Sequence, residues 1–407
     1  MEKFPKKILI LSNVPPSTNS SGGLVLVELC RFLPKDSLVN FVTLKKDYEP
    51  QIPKDLNWIP IKYAQKPREG WSNLPVLNSI LSFFGENYIR IFVIRRILAD
   101  IVSFGKKHQI NCLWVILDGQ TLIRLALPAA KKLNVPLISQ IWDPPEWGLK
   151  DQNVDKFSRA LILKKFAQAI HESQKCATAS WAMAKKYAHN YHAKTMPFLP
   201  SLEAQLAFPP ASRLHSAKEL IIGMAGQIYV TAEWDSLILA LDKLDWQIND
   251  QKIKIRLLGN WLKLTTDRKM TIEYLGWRSQ EETLKLMNEC DILYCPYWFD
   301  PKYEKAARLS FPSKLTTYLA AGRPIFFHGP EYASPAVFLR KNQAAAFCYT
   351  LKTEEIIKIL RRLKSDRKYY GQLAKNGRKA FDEYLTSQTL RRNFAEFLQI
   401  DERELVG

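Results

Sequence analysis

The sequence lacks paired cysteines. Cys30, Cys112, Cys176, Cys290, Cys295 and Cys348 are scattered over 407 residues, and none forms a C-x-x-C pair. That scatter argues against a zinc site or a disulfide framework and for a reducing compartment. His189 and His192 stand three apart, but no third ligand accompanies them, so no metal is expected. No apolar run reaches the roughly 18 residues that a spanning helix needs. The run Ile8-Leu9-Ile10-Leu11 is short and passes straight into Asn13-Val14-Pro15-Pro16, which is not a secretory signal. The dinucleotide fingerprint G-x-G-x-x-G is absent, and so is any DNA- or RNA-binding motif.

Negative charge is also short. The chain carries 59 Lys and Arg against 40 Asp and Glu, a net charge of +19. The excess lies in the first half, where residues 1–200 hold 28 basic and 15 acidic side chains against 31 and 25 in the remainder. An anionic partner is implied. With no nucleic-acid motif present, an anionic membrane surface ranks above nucleic acid. A hydrophobic content of 47% with 24% charged residues is that of an ordinary globular protein. The length fits two domains of about 200 residues each.

Strand and helix patterns alternate along the chain. In the first half, apolar runs at 7–12, 38–44, 58–61, 113–118, 136–141 and 177–180 read as strands. Helices are expected at 24–33, 122–133, 154–176 and from 181, where Ser180 serves as N-cap. Residues 74–98 are rich in Leu, Ile, Phe, Tyr and Arg and read as one or two amphipathic helices. They are either core-facing with a basic edge or docked on anionic lipid. Prolines 197, 200, 209 and 210 break the pattern. In the second half, strands are expected at 220–226, 254–258, 272–276, 291–296 and 325–327, with helices at 234–244, 281–290 and 314–321. Residues 297–307 read as loop, and 335–340, 344–349, 353–364, 367–384 and 386–398 as mostly helix. This order predicts an α/β protein of two Rossmann-like, doubly wound domains facing a central cleft. The expected boundaries are 1–198, a linker at 199–218, and 219–384, with 385–407 returning to the first domain.

Three places invite ligands. After the first strand, a loop ending in Gly22-Gly23 precedes a helix, as where phosphate sits on backbone amides. After 136–141, Trp142-Asp143-Pro144-Pro145-Glu146-Trp147 places Asp143 and Glu146 at the sheet's carboxyl edge between two indoles. Acids bind sugar hydroxyls and indoles stack on the ring; a proline-stabilised turn is the plainer alternative. Residues 308–330 run as a polar turn, a short helix from Lys314, a glycine stop at Gly322 with Pro324, and a strand. Lys314 in the first helical turn, with the helix's free N–H groups, suits a phosphate.

Phe311-Pro312-Ser313-Lys314-Leu315 followed by Tyr318-Leu319-Ala320-Ala321-Gly322-Arg323-Pro324 resembles the nucleotide-sugar motif of GT-B glycosyltransferases, and most closely the retaining, family-4-like group. The resemblance extends to the first-loop Gly22-Gly23, to residues 220–229 and to 272–296. It implies transfer of a sugar from a nucleotide-sugar to a hydroxyl of a glycan or lipid-linked acceptor, with retention and without a metal or other cofactor. Such a chain would be cytoplasmic, peripheral on the inner face of the membrane, and engaged in cell-envelope or polysaccharide synthesis. The donor would meet Gly22, Gly23, Gly226, Gln227, Trp277, Arg308, Phe311, Pro312, Ser313, Lys314, Leu315, Thr316 and Thr317. The acceptor would meet Asp143, Glu146 and Trp142, and Asp143 and Lys314 would act in catalysis. Two departures stand out. Leu309 and Thr317 occupy the positions of the family's Glu-x7-Glu pair, which leaves Thr316 or Thr317 to replace the ribose-binding carboxylate. No Lys or Arg occurs between Gln227 and Asp235, where a cation on the diphosphate is usual. These departures also fit a catalytically degenerate partner or binding subunit. A nucleotide-sugar epimerase is a further reading, but its acid and base pattern is missing.

Overall fold

The computed structural model describes residues 5–71, 75–214, 218–227, 230–259, 266 and 271–406, without the side chains of 75–79 and 147. The indole of Trp147, Ile228, Tyr229 and Asn260 therefore lie outside the described residues. The chain forms two compact units, Met1–Phe198 with Arg391–Gly407, and Leu199–Leu390.

The first unit is built on the strands β1 (Ile8–Ser12), β2 (Leu38–Leu44), β3 (Ile61–Gln65), β4 (Cys112–Ile116), β5 (Leu137–Ile141), β6 (Cys176–Thr178) and β7 (Thr195–Pro197). Every pairing is parallel, in the order β3-β2-β1-β4-β5-β6-β7. Strands β1, β4 and β5 are buried at every residue, as a parallel sheet covered on both faces requires. The order reverses between β1 and β4, which are neighbours in register from Ile8 opposite Cys112. Ligands of such sheets bind outside the carboxyl ends at that reversal. The strand read at 58–61 lies three residues later, because Leu56 and Ile59 enter the core from a 3-10 turn at Lys54–Leu56 and the residues after it. Helix Ser21–Arg31 begins three residues earlier than the sequence suggested.

The second unit repeats the plan with β8 (Glu219–Ala225), β9 (Gln247–Ile248), β10 (Gln251–Leu258), β11 (Ile272–Gly276), β12 (Ile292–Pro296), β13 (Ile325–His328) and β14 (Ala345–Cys348). The order is β11-β10-β8-β12-β13-β14, with β9 antiparallel to β10. The helix expected at 344–349 is strand β14, paired with β13 from Ala345 opposite Ile325. Its alanines favour helix locally, but burial beside β13 decides. The loop expected at 297–307 holds a 3-10 turn, Pro301–Tyr303, and part of a helix, Glu304–Leu309.

Residues 199–214 belong to the second unit and are tied to the segment 314–322. Phe208 N donates to Ala320 O at 2.8 Å and Ala211 N to Gly322 O at 2.8 Å. Gly322 has φ +69°, and a Cβ there would come within 2.5 Å of Pro209 O. Its glycine thus serves both the helix stop and the passage of the preceding segment.

Candidate donor and acceptor sites

In the first unit, the carboxyl ends of β1, β4 and β5 converge on a set of polar groups. Asn13, just past β1, is held by Thr43, whose hydroxyl donates to its Oδ1 at 2.7 Å. Its amide donates to Asp118 O at 2.6 Å and approaches Asp118 Oδ2 at 3.3 Å. Neither Asn13 nor Asp118 stood out in the sequence; only their places just beyond two buried strands mark them. Asp143 follows β5. It keeps solvent contact, yet its carboxyl is raised above the usual range by desolvation first and then by the charge of Asp118.

Glu146 lies in the first turn of a short helix, Pro145–Asp151, so the motif around it is a helix start and not a plain turn. One oxygen of Glu146 and the indole N–H of Trp142 are buried, without hydrogen-bond partners among the described residues. The hydroxyl of Tyr187 is in the same state, and Tyr187 is fully buried. Burial raises this phenol, and the nearby charge of Glu146 raises it further. Each such unmet group costs about 1–3 kcal/mol unless water or a ligand satisfies it. Trp142 and Gly22 are in contact: a Cβ on Gly22 would lie 2.5 Å from the indole ring.

Gly22 and Gly23 are not loop residues. They form the first turn of helix Ser21–Arg31, because the Ser20 hydroxyl accepts from Gly23 N and starts the helix early. The preceding loop is pinned by the Ser17 to Tyr48 hydroxyl contact, 3.2 Å, and by Tyr48 donating to Asn19 Oδ1 at 2.8 Å. A Cβ on Gly23 would meet Ser17 Oγ at 2.2 Å.

In the second unit, three adjacent strands end in glycines with positive φ: Gly226 at +97° after β8, Gly259 at +111° after β10, and Gly276 at +67° closing β11. Gly226 N donates to Leu258 O at 2.9 Å and Gly259 N to Gly276 O at 2.8 Å. A Cβ on Gly259 would lie 2.7 Å from Gly226 O. Strand reversal falls between β8 and β12, and Lys314 reaches that point. Its ammonium donates to Gln227 O at 3.4 Å and lies near enough to Cys295 on β12 to perturb it. Desolvation lowers Lys314 to about 8, partly offset by Cys295.

The remaining donor-side residues separate by burial. Phe311 packs edge-on against Phe338 at 5.3 Å, and Leu315 is fully buried; both are core. Thr316 is also buried, its hydroxyl given to Pro200 O at 2.8 Å, so it does not offer that hydroxyl to a ribose. Thr317 and Pro312 are half-buried and Ser313 is exposed. Ser313 has helical backbone angles and its side chain caps nothing. The amides of Leu315 and Thr316 turn back to Pro312 O and Ser313 O, at 3.0 and 3.2 Å, so two first-turn donors are already engaged. Arg308 donates to Glu304 at 2.9 Å and stacks on Tyr332 at 4.1 Å, which neutralises its charge locally. Trp277 is 77% exposed.

A buried polar chain at this sheet edge carries no local signal in the sequence. Glu233 accepts from Phe299 N at 2.6 Å, and Tyr294 links Glu233 O to His328 Nδ1 at 3.0 and 2.7 Å. Burial lowers His328 to about 4 and raises Glu233. Among the described residues, no group of three His, Cys, Asp or Glu is placed to hold a metal ion.

No family model and no curated protein matches the chain. Solved structures do resemble it over nearly its whole length. HepE of Anabaena, crystallised with UDP and glucose, is 15% identical, with 97% of this chain and 99% of that one covered and a TM-score of 0.64. Sucrose-phosphate synthase of Thermosynechococcus elongatus is 10% identical, with 97% and 98% covered and a TM-score of 0.68. A glycosyltransferase of Rickettsia africae is 13% identical, with 98% and 100% covered and a TM-score of 0.61. The two mostly parallel α/β sheets described above are those of the GT-B fold, and the chain has that fold.

Proposed function

We propose that the protein is a glycosyltransferase that takes a sugar from a nucleotide-sugar and places it on a hydroxyl of a glycan or lipid-linked acceptor. The observation that carries this reading is Lys314. Its desolvated ammonium stands beside Gln227 at the strand reversal of the second sheet, next to the Gly226 turn. A diphosphate there would gain a charge-assisted hydrogen bond and would relieve the lysine's desolvation. That HepE has been crystallised with UDP, and separately with UDP-glucose, supports the nucleotide class. We assign Lys314 to stabilising the leaving diphosphate, without a metal and with retention of the donor's anomeric configuration. On the acceptor side we assign Asp143, Glu146 and Trp142, since Glu146 and Trp142 each hold a buried polar atom in need of a partner. Six buried free thiols support a cytoplasmic location.

The test is a thermal-shift panel of UDP-, GDP-, dTDP- and ADP-sugars, followed by donor hydrolysis and transfer assays with a stabilising donor. Stabilisation by at least one nucleotide, lost in Lys314→Met, is expected. The anomeric coupling of the product reads retention, and activity in a chelator reads metal independence. A second reading is a catalytically degenerate partner subunit. It is favoured by Arg308 being spent on Glu304, by Thr316 being spent on Pro200, and by Leu309 and Thr317 in place of carboxylates. Stabilisation by none of the four nucleotide classes would select it.

A further inference from the structure

Between Ile80 and Phe92 the helical stretch from Pro75 to Lys107 turns polar side chains inward and large apolar ones outward. Its inward positions carry Ser82, which exchanges hydrogen bonds with Asp155, and Glu86, which pairs with Arg124 and accepts from Trp71 Nε1 at 2.8 Å, with buried Ile89 a turn further on. Glu86 and Arg124 are 2% and 4% exposed. The opposite face is apolar and faces solvent. Ile80, Leu81, Phe84, Tyr88 and Phe92 are each more than half exposed and recur at helical spacing as one stripe. Phe157, 60% exposed on helix Lys156–Glu172, extends the stripe through Phe83, whose ring lies 5.7 Å away. Water does not favour this arrangement. A polar face with a desolvated ion pair is buried, while several large apolar side chains stay wet.

The charges around the stripe say what covers it. Arg95 and Arg96, exposed, follow within a turn of Phe92; Lys156 adjoins Phe157, and exposed Lys164 lies seven residues on along the same helix. Two carboxylates on this stretch are paired elsewhere, Glu86 with Arg124 and Asp100 with Lys62 at 3.1 Å, and Asp155 is held as the cap of Ser158 N at 2.9 Å. Aromatic and aliphatic side chains rimmed by unneutralised cations are the chemistry of an anionic bilayer surface. A second copy of the chain is a poorer occupant, because two-fold pairing of this face would bring like charges together. The stretch Ile80–Phe92 is about 20 Å long at 1.5 Å per residue. No helix among the described residues is long and apolar enough to cross a membrane.

We propose that this face is an in-plane membrane anchor, with Ile80, Leu81, Phe84, Tyr88, Phe92 and Phe157 entering the headgroup region of an anionic leaflet and the arginines and lysines contacting lipid phosphate. The proposal is independent of the transfer reaction. The experiment is vesicle flotation of the full chain with phosphatidylcholine alone and with phosphatidylcholine containing phosphatidylglycerol. The wild type is expected to float with the anionic vesicles and to be released as salt rises to about 0.5 M. Phe84→Ser with Phe92→Ser should weaken binding about tenfold or more, with an unchanged melting temperature, since both rings are solvent-exposed. Arg95→Glu with Arg96→Glu should remove the preference for the anionic lipid. Absence of flotation, or flotation untouched by both pairs, overturns the proposal. Concentration-dependent dimerisation abolished by the Phe pair, without vesicle binding, would also overturn it and assign the face to a second copy.

Discussion

Lys314→Met gives opposite signs for stability and for ligand binding, which separates a functional lysine from a structural one. In the folded chain the lysine titrates near 8, down from 10.5. Below about pH 8 it is charged in both folded and unfolded states, and the fold bears the desolvation. Between the two values the unfolded chain binds a proton that the fold does not, so stability rises with pH across that window. The deficit near neutrality is on the order of 1–3 kcal/mol. Methionine matches the unbranched lysine stem up to Cε and removes the ammonium and its charge. The free protein should therefore melt a few degrees higher at pH 7, at about 2–4 °C per kcal/mol for a unit of this size. Binding of UDP should move the other way, losing about 2–4 kcal/mol with the charge partner gone. In the wild type, UDP affinity should fall about tenfold per pH unit once the lysine deprotonates above about 8. Calorimetry in buffers of different ionisation enthalpy should then show close to one proton taken up on binding. The variant should show neither slope nor uptake attributable to this group. A variant that melts lower and binds UDP as before, with the same proton uptake, would refute the assignment of Lys314 to the diphosphate.

Gly259→Ala should destabilise the second unit by about 1–3 kcal/mol in urea unfolding, because φ is +111° and the new methyl would meet Gly226 O at 2.7 Å. Gly22→Ala should displace the Trp142 ring, which its Cβ would approach to 2.5 Å, and raise KM for the acceptor more than for the donor. Asp143→Asn should stabilise the protein at pH 7, since a raised carboxyl loses stability as pH climbs above its unfolded value, while transfer falls; a melting curve against pH and a turnover assay read both. Glu86→Leu alone should cost about 3–5 kcal/mol by stranding Arg124, whereas Glu86→Leu with Arg124→Met should recover most of it, measured by chemical denaturation.

How far the sequence disclosed the donor side depended on whether a residue's role was set by its neighbours in the chain or by partners remote from it. The strand, glycine turn and helix order around Gly226, Gly276 and Gly322 is local chemistry, and it was legible. The use of each side chain in 308–317 was not. Thr316 turns to Pro200, 116 residues away, and Arg308 stacks on Tyr332 while bonding Glu304. Nothing in the spacing of that motif says which hydroxyl or guanidinium is already committed. Strand β14 escaped for a related reason: Ala345 and Ala346 favour helix on their own, and their strand state comes from pairing with β13.

The helix at 75–107 shows a deeper limit of periodicity. A stripe of apolar residues every three or four positions says that a helix has an apolar face, and the ordinary inference turns that face inward. Here the inward face is the one with Ser82 and Glu86, and what fixes it there is distant: Arg124 on another helix, Trp71 in the preceding loop, Asp155 at a third helix start. Gly85 contributes as well, since a Cβ would meet the Trp71 ring at 1.8 Å and lift the helix away. Those partners are chosen by shape and charge across 15 to 73 residues of sequence, beyond any local window. For the same reason the basic excess of the first half is visible in composition while its placement is not. Charge counts register Arg95, Arg96, Lys156 and Lys164 equally with every other cation; only the fold sets them beside an exposed aromatic stripe. An inverted helix is stable in water only at the expense of that wet stripe, so coverage of the stripe by lipid should strengthen the fold itself. Anionic vesicles should accordingly raise the melting temperature of the wild type and leave the Phe84→Ser, Phe92→Ser pair unmoved.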